Sequence, residues 1–249
     1  MGSQVYKGGK VYTGAYDLSC NINQWSLGVE YAELDATTLC SSARYSVPGI
    51  PKVTFDYAGH AEVDGSTESD DVLFTATTGQ LALANVPMTF APLTGAAGEA
   101  AYFTKAMTLS SSPIQGDVNS LWDFQVSGVG QGQPLIRGTI FGTGSKTSTG
   151  NSSVIELGAA TSTQYLYGCL HVIAASGTNP TLDVIVASDD AEGFSSATTR
   201  LTFTQATGIT SQFITPVAGP ITDTHYRATW TIGGTDTPTF SIVLVVGIR

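Results

Sequence analysis

The sequence predicts an all-β protein, and three observations carry that reading. Charged residues make up only 12% of the 249-residue chain, which also holds 28 glycines, so the Lys, Glu and Arg that coat exposed helices are scarce. Apolar residues alternate with polar ones in short runs instead of recurring at helical spacing. Turn-forming Gly, Pro, Asn and Asp separate those runs. With 42% hydrophobic residues, a sizeable core is available.

Taken in order, strands are expected at Lys10–Tyr16, Asp17–Trp25 and Gly28–Leu34, with a turn at Ser26–Gly28. Asp35–Lys52 shows no sustained period and ends Pro-Gly-Ile-Pro; a structureless stretch of that length inside a compact domain is usually functional. Val53–Val63 alternates again, placing Val53, Phe55, Tyr57 and Gly59 on one face. Asp64–Asp71 is acidic but lacks calcium-loop spacing, and a short helix is expected at Asp71–Thr77 with its acids at the positive end. Leu81–Phe90 reads as a strand before a turn at Pro92–Gly98.

Gly98–Gly142 organises the first half. It carries strands at Ala100–Leu109, Leu121–Ser127 and Leu135–Phe141, with Trp122, Phe124 and Val126 on a buried face and a turn at Gly128–Gly132. Thr143–Asn151, TGSKTSTGN, has no apolar member and reads as a flexible linker. The expected division is 1–148 and 149–249, and a chain ending near Thr149 is expected to fold and assemble without the rest.

Beyond that point, short apolar runs recur at Ser152–Leu157, Gln164–Ala174, Thr181–Ala187, Arg200–Thr204, Ser211–Thr215, His225–Ile232 and Thr239–Val246. Gly177–Pro180, Asp189–Gly193, Gly219–Pro220 and Gly233–Pro238 punctuate them. Such spacing signals a β-sandwich, immunoglobulin-like or jelly-roll. Tyr226, Ala228 and Trp230 share one face.

The remaining features exclude classes. The net charge of −10 is shared between the halves and forms no basic stripe, which disfavours a protein that grips phosphates. No run of about 18 apolar residues spans a bilayer, and the opening MGSQVYKGGK lacks a signal-peptide core. Cys20, Cys40 and Cys169 read as buried, reduced thiols. His60, His171 and His225 lie far from one another in sequence, and neither metal nor cofactor is expected. No G-x-S-x-G occurs, and Asp189 with Asp190, or Asp70 with Asp71, would point to opposite faces of a strand. An enzyme is not expected.

In residues 1–142, several segments together resemble the major tail tube protein of long, non-contractile-tailed bacteriophages. They are LDATTLCSSARYSVPG, DYAGHAEVDG, SDDVLF, GEAAYFTKAMTLSSS, GDVNSLWDFQVSG and PLIRGTIFG. The second half, with LHVIAASGTNPTLDVIVASDD, TTRLTF and GPITDTHYRATWTI, resembles the outer decoration domain that many such proteins append.

The resemblance implies a tail-tube-type β-barrel or sandwich forming stacked hexameric rings, a conduit for the genome. It also implies tape-measure, tail-terminator and distal-tail partners, transient DNA passage and no membrane. Such a protein is made in the host cytoplasm and resides in the virion. The inter-ring contact is expected at Leu39, Arg44, Tyr45, Val47, Pro48 and Ile50, whose apolar members suit burial by a partner and whose Arg44 suits a neighbouring carboxylate. Lumen acids are expected among Glu62, Asp64, Glu68, Asp70, Asp71 and Asp123. The alternatives are another tail or head-decoration protein, or a carbohydrate-binding sandwich using Tyr165, Tyr167, Tyr226 and Trp230.

Overall fold

The computed structural model describes residues 8–40, 42–62, 69–74 and 85–249. In order they form β1 (Lys10–Thr13), β2 (Tyr16–Asp17), β3 (Ile22–Asp35), β4 (Ser46–His60), α1 (Ser69–Phe74), β5 (Val86–Ala91), β6 (Ala100–Gln115), β7 (Asp123–Gly130) and β8 (Ile136–Lys146). Then follow β9 (Gly150–Asn151), β10 (Ile155–Glu156), β11 (Tyr165–Asp189), β12 (Thr198–Thr202), β13 (Thr210–Phe213), β14 (Val217–Ala218) and β15 (His225–Ile248). The protein is all-β, as its sequence predicts. Contacts group it into two compact units: Met1–Cys20 with Pro87–Thr104 and Ile136–Arg249, and Asn21–Val86 with Lys105–Leu135. These do not follow the expected 1–148 and 149–249 division.

The first unit is built on the antiparallel pair β11 and β15, in register from Leu166↔Ile248 to Asp189↔His225. The sequence suggested two turns here, at Gly177–Pro180 and Gly233–Pro238. Instead, Gly177, Asn179, Gly234, Asp236 and Thr237 take positive φ inside continuous strands, and the register shifts between Val172 and Thr181. Bulges of this kind bend a ribbon without breaking it. Leu166, Leu170 and Val172 before the bend share one core with Leu182, Val184 and Val186 after it. The ribbon therefore doubles back on itself as the two layers of a sandwich.

Strand β8 extends one layer by pairing with Phe240–Val246, and β9 and β10 extend the other by pairing with Trp230 and Tyr226. Tyr226, Ala228 and Trp230 all face the core, as their alternation predicted. The early half of β11 is buried on both sides. Its other face, with Tyr167 and Cys169, packs with Tyr12, Ala91 and Phe103 from β1, β5 and β6.

The expected linker is part of this construction. Thr143–Lys146 completes β8 against Val243–Phe240, and Gly150–Asn151 is β9. Lys146 Nζ lies 4.7 Å from the centre of the Trp230 ring, and Trp230 Nε1 donates to Ser148 O at 3.1 Å. A stretch without apolar side chains is held here by backbone pairing, to which composition is blind.

The second unit contains the antiparallel order β3–β4–β7–β6. Val53, Phe55, Tyr57 and Gly59 lie on its buried face with Phe124 and Val126. Trp122 does not, being 51% exposed: β7 begins only at Asp123, so the alternation does not extend back to it. Gly128 lies within β7 and not in a turn. A Cβ there would sit 2.2 Å from Cζ of Phe55, so glycine is what lets that ring lie flat on the strand. Helix α1 is displaced from the expected Asp71–Thr77 and buries Val72 and Leu73. Residues 63–68 and 75–84, with Asp64, Glu68 and the start of the Leu81–Phe90 strand, lie outside the described residues.

Strand β3 runs unbroken through the expected Ser26–Gly28 turn, and β4 begins at Ser46 within the expected loop. Cys20 and Cys40 are exposed because both fall in turns, and only Cys169, on β11, is buried.

Candidate functional site

The segment singled out as a structureless loop is the outer part of a β-ribbon. Pairing continues past the core through Val29↔Val53, Glu30↔Lys52, Tyr31↔Pro51, Glu33↔Pro48, Leu34↔Val47 and Asp35↔Ser46, with a bulge between Tyr31 and Glu33. Strand β4 pairs with β7 only from Thr54 onward. Beyond that point Pro48 and Pro51 sit in a strand with β3 alone as its described partner, where a missing N–H is tolerated. Alternation is lost in this stretch because neither face is buried, which is why a period search finds nothing.

The ribbon closes through side-chain and main-chain bonds. Thr37 N donates to Asp35 Oδ1 (2.9 Å), Tyr45 N donates to Thr37 Oγ1 (2.9 Å), and Ala36 N donates to Tyr45 O (2.8 Å). The Thr37 hydroxyl and N–H hold the Asp35 carboxyl below the usual carboxylate range. Arg44 is already engaged on its own ribbon, 3.4 Å from Glu33 and 3.8 Å from Asp35.

The apolar side chains there have no cover among the described residues. Leu39 and Ile50 are 107% and 89% exposed, Tyr31, Leu34 and Tyr45 exceed half, Pro48 is exposed and Val47 is half-buried. Exposed apolar side chains grouped on one ribbon make it a candidate interaction surface. Among the described residues β3 pairs only with β4, so its outer edge carries backbone groups suited to another strand.

Sequence reading missed a second exposed set on this unit. At the β6–β7 connection Ile114, Val118, Leu121 and Trp122 are 47%, 92%, 68% and 51% exposed. Asp117 and Ser120 close the turn, with Ser120 N donating to Asp117 O at 3.0 Å. The run of non-alternating residues before Asp123 was the available signal.

The face of the second unit opposite its core is polar and arranged in rows. Ser26, Asp56, Ser127 and Ser110 stand in register across four strands, and Gln24, Ala58 and Gln125 form the next row. Asp123 lies on this face, with His60 Nδ1 2.8 Å from its Oδ1 and Asn23 Nδ2 3.4 Å from His60 Nε2. Of the other expected lumen acids, Glu62 is exposed just past β4, and Asp70 and Asp71 belong to α1. Asp64 and Glu68 fall outside the described residues.

In the first unit, Tyr226 and Trp230 are core residues, Tyr167 is 7% exposed and only Tyr165 is half-exposed. They do not form the aromatic surface a sugar-binding reading requires. Asp189 and Asp190 meet, contrary to expectation, because β11 ends at Asp189 and the chain turns. The Asp189 carboxylate accepts from Ala191 N (3.0 Å) and Ser196 N (2.8 Å), which holds it low, while its hydrogen bond to Asp190 pushes Asp190 up. Cys169 and His171 are two residues apart on β11 and hence on one face, a spacing sequence reading passed over.

No protein-family profile matches the chain, and no curated protein does. Among solved structures, a chain of the virion of a native gene transfer agent particle aligns with a TM-score of 0.39 and 15% identity, over 53% of this chain and 97% of that one. A chain from the tail of an empty gene transfer agent particle, refined with C6 symmetry, aligns at 0.35 and 14% over 46% and 80%. The Dit protein of phage SPP1, described as a paradigm of the hub adsorption apparatus in phages infecting Gram-positive bacteria, aligns at 0.37 and 9% over 98% and 100%.

Proposed function

We propose that this chain is a structural protein of a bacteriophage tail. Within that class, the reading that fits its features best is the major tail tube subunit, which closes into hexameric rings that stack into a conduit. The observation that carries it is the β3–β4 ribbon, a paired element that presents Leu39, Tyr45 and Ile50 with none of the described residues covering them. Burying each such side chain is worth about 1.5–3 kcal/mol, and repetition around a ring multiplies the effect. The ribbon is the inter-ring contact. Because Arg44 is held by Glu33 and Asp35, its part is to stiffen the ribbon. The outer edge of β3, which pairs only with β4 among the described residues, supplies backbone bonds to a neighbouring copy, and head-to-tail repetition of one contact closes a ring.

The polar face bearing Asp56 and Asp123 lines the lumen, where carboxylates repel phosphates and let DNA pass without adhering. Tape-measure, terminator and distal-tail proteins are the partners of such a tube. Electron microscopy of the purified protein tests the reading: rings or tubes are expected, and monodisperse particles without assembly at high concentration overturn it. The double substitution Leu39→Ser and Tyr45→Ser is expected to leave a folded subunit that fails to stack.

A further inference from the structure

In the first unit an imidazole is enclosed without serving any surface described above. His171, on β11, is fully buried. Its Nδ1 lies 2.5 Å from the carbonyl oxygen of Gly14, in the turn between β1 and β2. A carbonyl can only accept, so Nδ1 carries the proton and Nε2 presents a lone pair. Two donors converge on that lone pair: the Thr89 hydroxyl of β5 at 2.8 Å and the Cys169 thiol at 3.3 Å. The Tyr12 ring of β1 packs beside the imidazole, centroids 5.8 Å apart. A single neutral ring thus ties together three segments distant in sequence.

We propose that His171 is an acid-released latch, which as a neutral imidazole fastens the β1–β2 turn and β5 to β11 and on protonation at Nε2 lets them go. A proton on Nε2 turns an acceptor into a donor. The Thr89 hydroxyl must then swing its own proton away, with Cys169 Sγ at 3.9 Å the alternative acceptor. The new charge also sits out of water, where an unpaired ion is strongly disfavoured.

The surroundings offer little compensation. Burial pushes the Tyr12 phenol up and the Cys169 thiol up to about 12, so both stay neutral. The nearby carboxylate is Asp17 on β2, which is 3.8 Å from Lys10 on β1 and accepts from the Ser19 hydroxyl. The β13 and β15 residues in register with His171, Ser211 and Val243, carry no charge. Burial accordingly holds His171 down at about 4, opposed by the Gly14 carbonyl and by Asp17.

The sign follows from linkage. A folded-state value below the ordinary ~6.5 means that the closed state is favoured in full above that pH. The contribution is lost as pH falls from there toward about 4, the opening constant rising about tenfold per pH unit.

Hydrogen exchange on the full chain between pH 7 and 4, corrected for the intrinsic pH dependence, reads this directly. Protection of β1, β2 and β5 is expected to fall by about tenfold per pH unit, while 182–186 and 242–246 keep theirs. His171→Asn retains a donor for the Gly14 carbonyl but no titrating nitrogen, and should flatten that dependence. Thr89→Val removes a donor that favours the neutral ring, so the loss of protection should level off at a higher pH and be smaller in total; it decides the matter if the asparagine variant does not fold. The proposal is overturned if the His171 ring nitrogens titrate near 6.5 by nitrogen NMR, if His171→Asn keeps the slope, or if all these segments open together.

Discussion

His60 Nδ1 lies 2.8 Å from Asp123 Oδ1, a cross-strand pair joining β4 to β7 on the polar face of the second unit. Both side chains are about half exposed, so the pair contributes at most about 1 kcal/mol. Its weight in the proposed conduit is therefore electrostatic, through the sign of the surface it helps to set.

Converting Asp56 and Asp123 together to Lys should leave the fold intact, with a change in unfolding free energy below about 1 kcal/mol. Particles carrying the variant should release DNA more slowly at unchanged tail length. Release at the normal rate from such particles would remove this face from the lumen.

A chain ending at Thr149 should not fold its first unit. Ile140 and Phe141 of β8 are buried in cores completed by Leu244 and Val245 of β15, and seven residues of β15 pair with β8. Circular dichroism and solubility of the truncated chain check this; a cooperative thermal transition would refute it. The outcome reverses what the polar composition of Thr143–Asn151 suggested.

Gly128→Ala should cost about 3 kcal/mol, since the added methyl would lie 2.2 Å from Phe55 Cζ and 2.5 Å from Met107 O. Denaturant unfolding of the variant reads the loss. Phe55→Leu in the same background should recover part of it, because it vacates the space the methyl needs.

Asp223 accepts from Ser188 Oγ at 2.6 Å and from Arg200 at 2.9 Å, and these bonds hold its carboxyl below the usual carboxylate range. Asp223→Asn should destabilise the protein at neutral pH by about 1.5–3 kcal/mol, the range for hydrogen bonds to charged groups. A group depressed in the folded state contributes fully above its ordinary value and loses that contribution as pH falls. The difference between wild type and variant should therefore shrink below about pH 4, which paired denaturation curves would reveal.

The strands that bury one face were legible in the sequence. Val53 to Gly59 and Tyr226 to Trp230 alternate because a core sits on one side of each, and their orientation is as expected. Elements whose position depends on distant partners were not legible. The end of β8 is polar and is a strand only because β15 returns to it, some hundred residues later. Gly177, Gly234 and Asp236 read as turns because local preference for positive φ is the same in a turn and in a bulge. The ribbon hid for a third reason: with neither face buried, nothing imposes a period on its residues. Its exposed apolar content was nevertheless visible at Leu39, Tyr45 and Ile50, and that content is what makes it a candidate site.

The doubled-back ribbon also fixes the order in which the protein can mature. Strand β8 waits, unpaired on one edge, until Phe240–Val246 has left the ribosome, and β11 likewise waits for β15, from Asp189↔His225 out to Leu166↔Ile248. Non-local pairing of this kind is slow and comes late in folding. A nascent chain of this protein thus has no finished first unit to offer a neighbour until β15 has emerged.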